Sequence, residues 1–195
     1  MADKPERSSG SGDRRVEWLG AIGVIALLLG GYFAFVALRG DGDTRDEAPP
    51  MTTTAFVSKS GGFSVRVPSG MTGRRTGSTA RFSTDDKQLV VTVGRSTRGT
   101  VKATSATLVK QLRAAYPAVS VLGRRTAKVD GRAALQTYGR AATSKGTKLR
   151  FVVLVVKASP RNYVLTTFAA AGADPDRVLP VVDRLANSFH VRQAS

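Results

Sequence analysis

Two hydrophobic patterns divide the chain. The first is continuous: Trp18 to Leu38 (WLGAIGVIALLLGGYFAFVAL) holds 21 residues without a charge, and as a helix rising 1.5 Å per residue it spans roughly 31 Å, the thickness of a bilayer's hydrocarbon core. Trp18 at one end and Tyr32, Phe33 and Phe35 toward the other suit interfacial positions, and Arg14, Arg15 and Arg39 bracket the run. A transmembrane helix is expected over residues 16–38. A cleaved secretory signal has a shorter apolar stretch followed by an A-x-A site. Here Ala34 and Ala37 stand three apart, so the run reads as an uncleaved anchor. Lys4, Arg7, Arg14 and Arg15 precede it against Arg39 and Arg45 just beyond, which puts the N-terminus in the cytoplasm and the rest of the chain outside. Ala26, Gly30 and Ala34 recur every four residues, the spacing that lets two membrane helices pack closely; the plainer reading is a lipid-facing stripe.

The second pattern begins near Phe56 and alternates. Phe63, Val65 and Val67 are separated by Ser64 and Arg66, a half-buried strand ended by Pro68-Ser69-Gly70. Thr79 to Phe82 and Leu89 to Val93 are short strands around a turn that contains Asp85-Asp86. Leu108, Val109, Leu112, Ala115 and Tyr116 share one helical face, so a helix is expected from a cap at Thr104 or Ser105 to the stop at Pro117. Extended runs follow at 119–129, 132–142, 149–157 and 163–170, broken by Asp130-Gly131, Ser144-Lys145-Gly146 and Ser159-Pro160-Arg161-Asn162. Residues 151–156 (FVVLVV) are apolar on both faces, which marks a central strand covered on both sides. Val178, Val181, Val182, Leu185 and Phe189 recur at helical spacing, but Pro180 would interrupt a longer helix. The expected helix therefore runs from near Leu179 to Ser188.

These elements predict an α+β domain, an antiparallel sheet with helices on both faces, over residues 55–195. Residues 1–15 are Ser/Gly/charge-rich and read as a disordered cytoplasmic tail, and residues 39–54 (RGDGDTRDEAPPMTTT) as a flexible linker.

Charge sharpens the division. The chain's net +16 resolves into −2 for residues 1–50 and +18 for residues 51–195, where 24 Lys and Arg face six Asp and no Glu. Four groups stand out: Arg74-Arg75; Arg95 with Arg98 and Lys102; Arg124-Arg125 with Lys128; and Lys145, Lys148 and Arg150. Converging in space they would form an anion-binding surface, and scattered they would be a solvated coat. Outside a membrane the available anions are lipid headgroups and acidic wall polymers.

Reactive constellations are scarce. The chain has no cysteine and one histidine, His190, which suits the negative end of the last helix. Asp85-Asp86 read as turn chemistry and Asp174 as a helix cap, ahead of weak cation binding. No G-x-S-x-G, S-x-x-K, P-loop or G-x-G-x-x-G pattern occurs. Thr84-x-x-Lys87 and Thr107-x-x-Lys110 only approximate a Ser/Lys pair. Neither catalytic residues nor a cofactor are expected.

Three short motifs bear a family resemblance: Gly62-Phe63-Ser64-Val65-Arg66-Val67-Pro68-Ser69-Gly70, Val129-Asp130-Gly131-Arg132-Ala133, and Asn187-Ser188-Phe189. In this order of elements they resemble PsbP-like α/β/α domains of actinobacterial membrane-anchored and lipid-anchored proteins, although Met71 stands where that family often has tryptophan. The resemblance implies an antiparallel sandwich and a non-enzymatic accessory or binding role at the outer membrane surface. The partners to expect are the membrane itself, anionic headgroups or wall polymers, and a protein. A cytoplasm-facing nucleic-acid-binding domain is the rival reading and requires reversed topology; an enzyme of unrecognised type is the third.

Overall fold

The computed structural model of the chain describes residues 52–96 and 98–192, with side chains of 175–177 left aside. The tail 1–15, the span 16–38 with Ala26, Gly30 and Ala34, and the linker as far as Met51 lie outside the described residues. Within them, no helix is long and apolar enough to cross a membrane.

The strands are β1 (Thr53–Ser58), β2 (Phe63–Pro68), β3 (Met71–Thr76), β4 (Thr79–Thr84), β5 (Leu89–Arg95), β6 (Ala118–Val129), β7 (Arg132–Ala142), β8 (Lys148–Val156), β9 (Tyr163–Ala170) and β10 (His190–Val191). Helix α1 (Val101–Ala115) follows β5, and α2 (Pro175–Asn187) follows β9. The alternating segments assemble into two sheets where one was expected. Seven strands in the order β3-β4-β5-β9-β8-β7-β6 form the main sheet, and β1-β2-β10 form a small one; the strand pairs are antiparallel.

Helix α1 packs on β6, β7 and β8 on one face of the main sheet. Its core joins Leu112 and Tyr116 to Phe151, Val153, Val155 and Phe168. The other face meets α2 and the small sheet through Phe63, Phe82, Leu154, Val156, Leu185 and Phe189. Alternate residues of β8 thus enter two different cores, as the doubly apolar run 151–156 required.

Three boundaries differ from expectation. Helix α1 starts at Val101 with Thr100 as its cap, whose side chain accepts a hydrogen bond from the Ala103 amide at 3.1 Å. Thr104 and Ser105 therefore lie inside the helix and are buried. Their hydroxyls bond inward: Asn162 Nδ2 donates to Thr104 Oγ1 at 3.0 Å, and Ser105 Oγ lies 2.8 Å from Thr137 Oγ1 on β7. Tertiary partners, not local capping, explain these two residues.

Helix α2 begins at Pro175 and carries Pro180 within it. The missing amide costs one intrahelical bond near the helix start, while Val178, Val181 and Leu185 on the buried face hold the segment against the core. Strand β1 takes Thr53 and Thr54 from the end of the expected linker, and β3 forms a further strand from a polar segment with no apolar alternation.

The resemblance motifs are structural. Gly62 adopts φ +66°, its carbonyl accepts from the Tyr163 hydroxyl at 2.7 Å, and Phe63, Val65 and Val67 point into the core. Asp130 and Gly131, both at positive φ, form the two-residue turn joining β6 to β7. Ser188 closes α2 onto β2, its Oγ accepting from the Arg66 amide at 3.0 Å, and seats the fully buried Phe189 beside Phe63 and Tyr163.

Candidate functional site

The four basic groups occupy separate places. Arg74 and Arg75 lie on β3 and are exposed, Arg74 opposite Arg81 of β4 and Arg75 opposite Ala80. Arg124, Arg125 and Lys128 lie on β6 and are also exposed. β3 and β6 are the two opposite edges of the seven-stranded sheet, six strand spacings or about 29 Å apart. A single convergent site built from all four groups is thereby excluded.

Each group has its own physical reason. Arg95, at the end of β5, gives Nε and Nη2 to the Tyr163 hydroxyl at 3.2 and 2.9 Å, and its guanidinium carbon lies 5.3 Å from the ring centre. This arginine ties Tyr163 and Gly62 together. Arg98 is exposed ahead of α1, and Lys102 is exposed in its first turn. Arg124 and Lys128 share the α1 face of β6, whereas Arg125 faces the α2 side, where its Nε donates to Gln136 Oε1. Arg125 also opposes the rise in the carboxyl pKa of Asp183 on α2, which keeps contact with solvent yet is pushed up by partial desolvation. Charges along a 12-residue edge strand also keep its unpaired amides from recruiting another strand.

The fourth group gains a member that the linear order hid. Lys148 and Arg150 lie on the α2 side of β8, and the β7–β8 register sets Arg140 directly opposite Arg150. Lys145 stands in the hairpin turn at the same end. Arg140 and Lys148 are exposed and Arg150 is half-buried. Like charges directly opposite one another on neighbouring strands are unfavourable, and with Lys148 on the same face this hairpin end gathers three basic side chains that lay in separate stretches of the chain. Arg140 is separated from Arg150 by the whole turn, and only the assumption of a tight hairpin over 132–157 would have paired them.

A second alignment crosses the α1 face. Arg74, Arg81, Thr92 and Thr166 are consecutive cross-strand neighbours on β3, β4, β5 and β9, and the row continues through Val153 and Thr137 to Arg124. Burial pushes the Tyr116 phenol above its ordinary pKa, against the opposing field of Arg81. Arg81 therefore lies between Arg74, Thr92 and the end of α1.

His190 does not cap α2. It lies in β10, where its Nδ1 is 2.8 Å from Asp130 Oδ1, and the Val191 amide donates to Asp130 Oδ2 at 2.9 Å. Arg132 Nε is 3.8 Å from the same carboxylate. The hydrogen bond to His190, helped by the Val191 amide and the nearby charges, holds the Asp130 carboxyl below its ordinary pKa. The turn of the β6–β7 hairpin is thus clasped to the small sheet. Asp86 serves its turn as expected, its Oδ1 accepting from Thr84 Oγ1 at 2.6 Å and from the Gln88 amide at 2.9 Å. Among the described residues no three His, Cys, Asp or Glu gather as metal ligands.

No protein-family model and no curated protein sequence matches the chain. Solved structures do. The Ran-binding protein Mog1p of Saccharomyces cerevisiae superposes with a TM-score of 0.55 at 13% identity, covering 73% of this chain and 96% of its own. Cyanobacterial PsbP (CyanoP) of Synechocystis gives 0.56 at 14% identity, covering 76% and 97%. Protein PA94 of Pseudomonas aeruginosa gives 0.51 at 13% identity, covering 72% and 98%. At such identities the likeness is one of backbone architecture, and the domain has the α+β fold shared by PsbP-like and Mog1-like proteins.

Proposed function

We propose that the chain is a non-enzymatic accessory or binding module, held to the membrane by the helix at 16–38, with residues 55–195 outside and touching anionic envelope material through basic surface. The observation that carries it is the hairpin end of β7 and β8. Its register places Arg140 against Arg150 with Lys148 on the same face, in a domain with four times as many Lys and Arg as acids. Fixed cations of this density hold polyanions by long-range attraction that falls off within about 8–10 Å at physiological salt. The fold supports the accessory reading, since both sheet faces are occupied by packed cores. The uncharged run Trp18–Leu38 and its flanking arginines support the anchor and its direction.

Two measurements test it. A reporter enzyme fused after Ser195 should be active outside the cytoplasm; activity only inside overturns the topology and restores the nucleic-acid reading. The full chain, with its apolar run already seated in phosphatidylcholine nanodiscs, should bind added vesicles that contain phosphatidylglycerol and ignore vesicles of pure phosphatidylcholine. The triple variant Arg140→Gln, Lys148→Gln, Arg150→Gln should lose most of that binding.

A further inference from the structure

Acids and bases are shared unequally between the two ends of the strands. The chain enters β1 at Thr53, opposite Pro68, at the end where the β4–β5 and β7–β8 turns also lie. Four of the six aspartates of residues 51–195 belong to that entry end: Asp85 and Asp86 in the β4–β5 turn, Asp174 and Asp176 at the start of α2. The far end is made by the β1–β2, β6–β7 and β8–β9 connections, the loop from β5 to α1, and β10. Its one acid is Asp130, already engaged by His190, the Val191 amide and Arg132.

Backbone bonds lace the far end together and carry basic residues with them. The Gly62 amide donates to the Lys59 carbonyl at 3.2 Å, and the Arg192 amide donates to the Gly62 carbonyl at 2.9 Å. Lys59 and Arg192 thus flank Gly62, where a Cβ would strike the Arg95 guanidinium. The Ser96 amide donates to the Asn162 carbonyl, and Asn162 Nδ2 to the Gly99 carbonyl, both at 2.9 Å. These bonds hold the loop of Arg98, with Lys102 in the first turn of α1, against the loop of Lys157 and Arg161. The Lys157 amide in turn donates to the carbonyl of Ala133, the cross-strand partner of Lys128. Arg98, Lys102, Lys128 and Lys157 are all exposed. From β5 to β6 they extend over four strand spacings, about 19 Å.

Exposed cations spread this widely do not close around one small anion. They meet successive charges along a chain, and each contact releases a bound counterion. The aromatic rings of this end, Phe63, Tyr163 and Phe189, are buried, so they offer no platform on which the bases of a single-stranded nucleic acid could stack. We propose that the far end of the domain is a docking surface for a linear polyanion without bases, a polymer of repeating phosphate or carboxylate groups. The inference rests on the outward topology proposed above only for which polymers are within reach. The basic β7–β8 hairpin lies at the entry end, so the domain carries two separate anion-binding surfaces, one for headgroups and one for polymer.

The test titrates long-chain inorganic polyphosphate and poly-L-glutamate into the full chain in zwitterionic detergent, read by calorimetry over a series of salt concentrations. At least one polymer should bind, and orthophosphate should not bind detectably. The variant Arg98→Gln, Lys102→Gln, Lys128→Gln, Lys157→Gln should bind about tenfold more weakly or worse, and its plot of log affinity against log salt should be shallower by about two to three, the share of four lost contacts. A second variant removes four exposed charges elsewhere, Arg66→Gln, Arg74→Gln, Lys110→Gln, Arg113→Gln, and should change affinity less than about threefold, the effect of net charge alone. Equal losses in the two variants overturn the surface, because they make the charge a uniform coat. Undiminished polymer binding in the first variant overturns it directly, and tight binding of orthophosphate overturns the multivalent mode. Oligo-dT that binds more tightly than either polymer overturns the assignment to a chain without bases. The titration contains no bilayer and does not read topology, so failure of the reporter fusion or of vesicle binding is a separate result from failure of this surface.

Discussion

Single residues of this domain mostly answer to partners far along the chain. Ser105 and Thr137 are both buried, and their hydroxyls meet 2.8 Å apart between α1 and β7. Thr137→Val leaves the Ser105 hydroxyl buried and idle, so it should destabilise by about 1–3 kcal/mol, and adding Ser105→Ala should recover much of that loss. Urea unfolding of the single and double variants measures both effects. Asp130 behaves differently because it is accessible. Its folded-state pKa lies below the ordinary value, chiefly through His190. A carboxyl depressed by folding adds stability that is present above the unfolded pKa and lost as pH falls through the folded one. The melting temperature should therefore drop on the acid side of the ordinary carboxylate range, and Asp130→Asn should flatten that drop. For so accessible a group the contribution stays within about 1 kcal/mol. A pH series of melts on parent and variant shows it, and identical slopes would remove the clasp from the account.

Among the elements, the β6–β7 pair is the least forgiving. A bulge between Val121 and Gly123 shifts its register. The strands also approach so closely at Gly139 that a Cβ there would strike the Ser120 carbonyl and the Phe151 ring. At Gly123 a Cβ would instead meet the free end of the Tyr138 side chain. Gly139→Ala should thus cost about 1–3 kcal/mol and clearly more than Gly123→Ala, because a backbone oxygen cannot swing aside; chemical unfolding ranks the two. The edge position of β6 gives its charges a second duty. Replacing Arg124, Arg125 and Lys128 with threonine should promote self-association, seen by light scattering, since the strand would then present open amides without charge. A variant that stays monomeric would leave these residues as solvated coat.

At the scale of the molecule, the main sheet meets α1 on one face and α2 with the small sheet on the other, and Phe189 joins the small sheet to the main one. It is fully buried, with its ring 5.8 Å from Phe63 and 5.4 Å from Tyr163. Phe189→Ala should cost about 3–5 kcal/mol and loosen the small sheet first, read as early hydrogen exchange in β1, β2 and β10. Opposite edges of the main sheet both carry arginine, so the domain has charge on several sides. Binding to anionic vesicles should accordingly fall steeply between about 0.05 and 0.5 M salt, where the screening length shrinks to a few ångströms.

What was legible in the chain follows from local physics. Period-two alternation announced β2, short and extended runs between turn residues announced β4 to β9, the Asp130-Gly131 turn announced its hairpin, and the doubly apolar run 151–156 announced a strand with a core on each face. Local patterns failed where a distant partner outweighed them. Thr104 and Ser105 look like helix caps until Asn162 and Thr137 claim their hydroxyls. Pro180 looks like a helix stop until the core holds the turn around it. β3 has no apolar alternation because an exposed edge strand has little to bury. Arg74 and Arg81 are seven residues apart and Arg140 and Arg150 ten, each pair split by a turn, and they become neighbours only by register. The sequence by itself determined that the domain is basic, strand-rich and centred on residues 151–156. Strand order and register, set by which apolar faces could be buried together, decided which of its many charges meet.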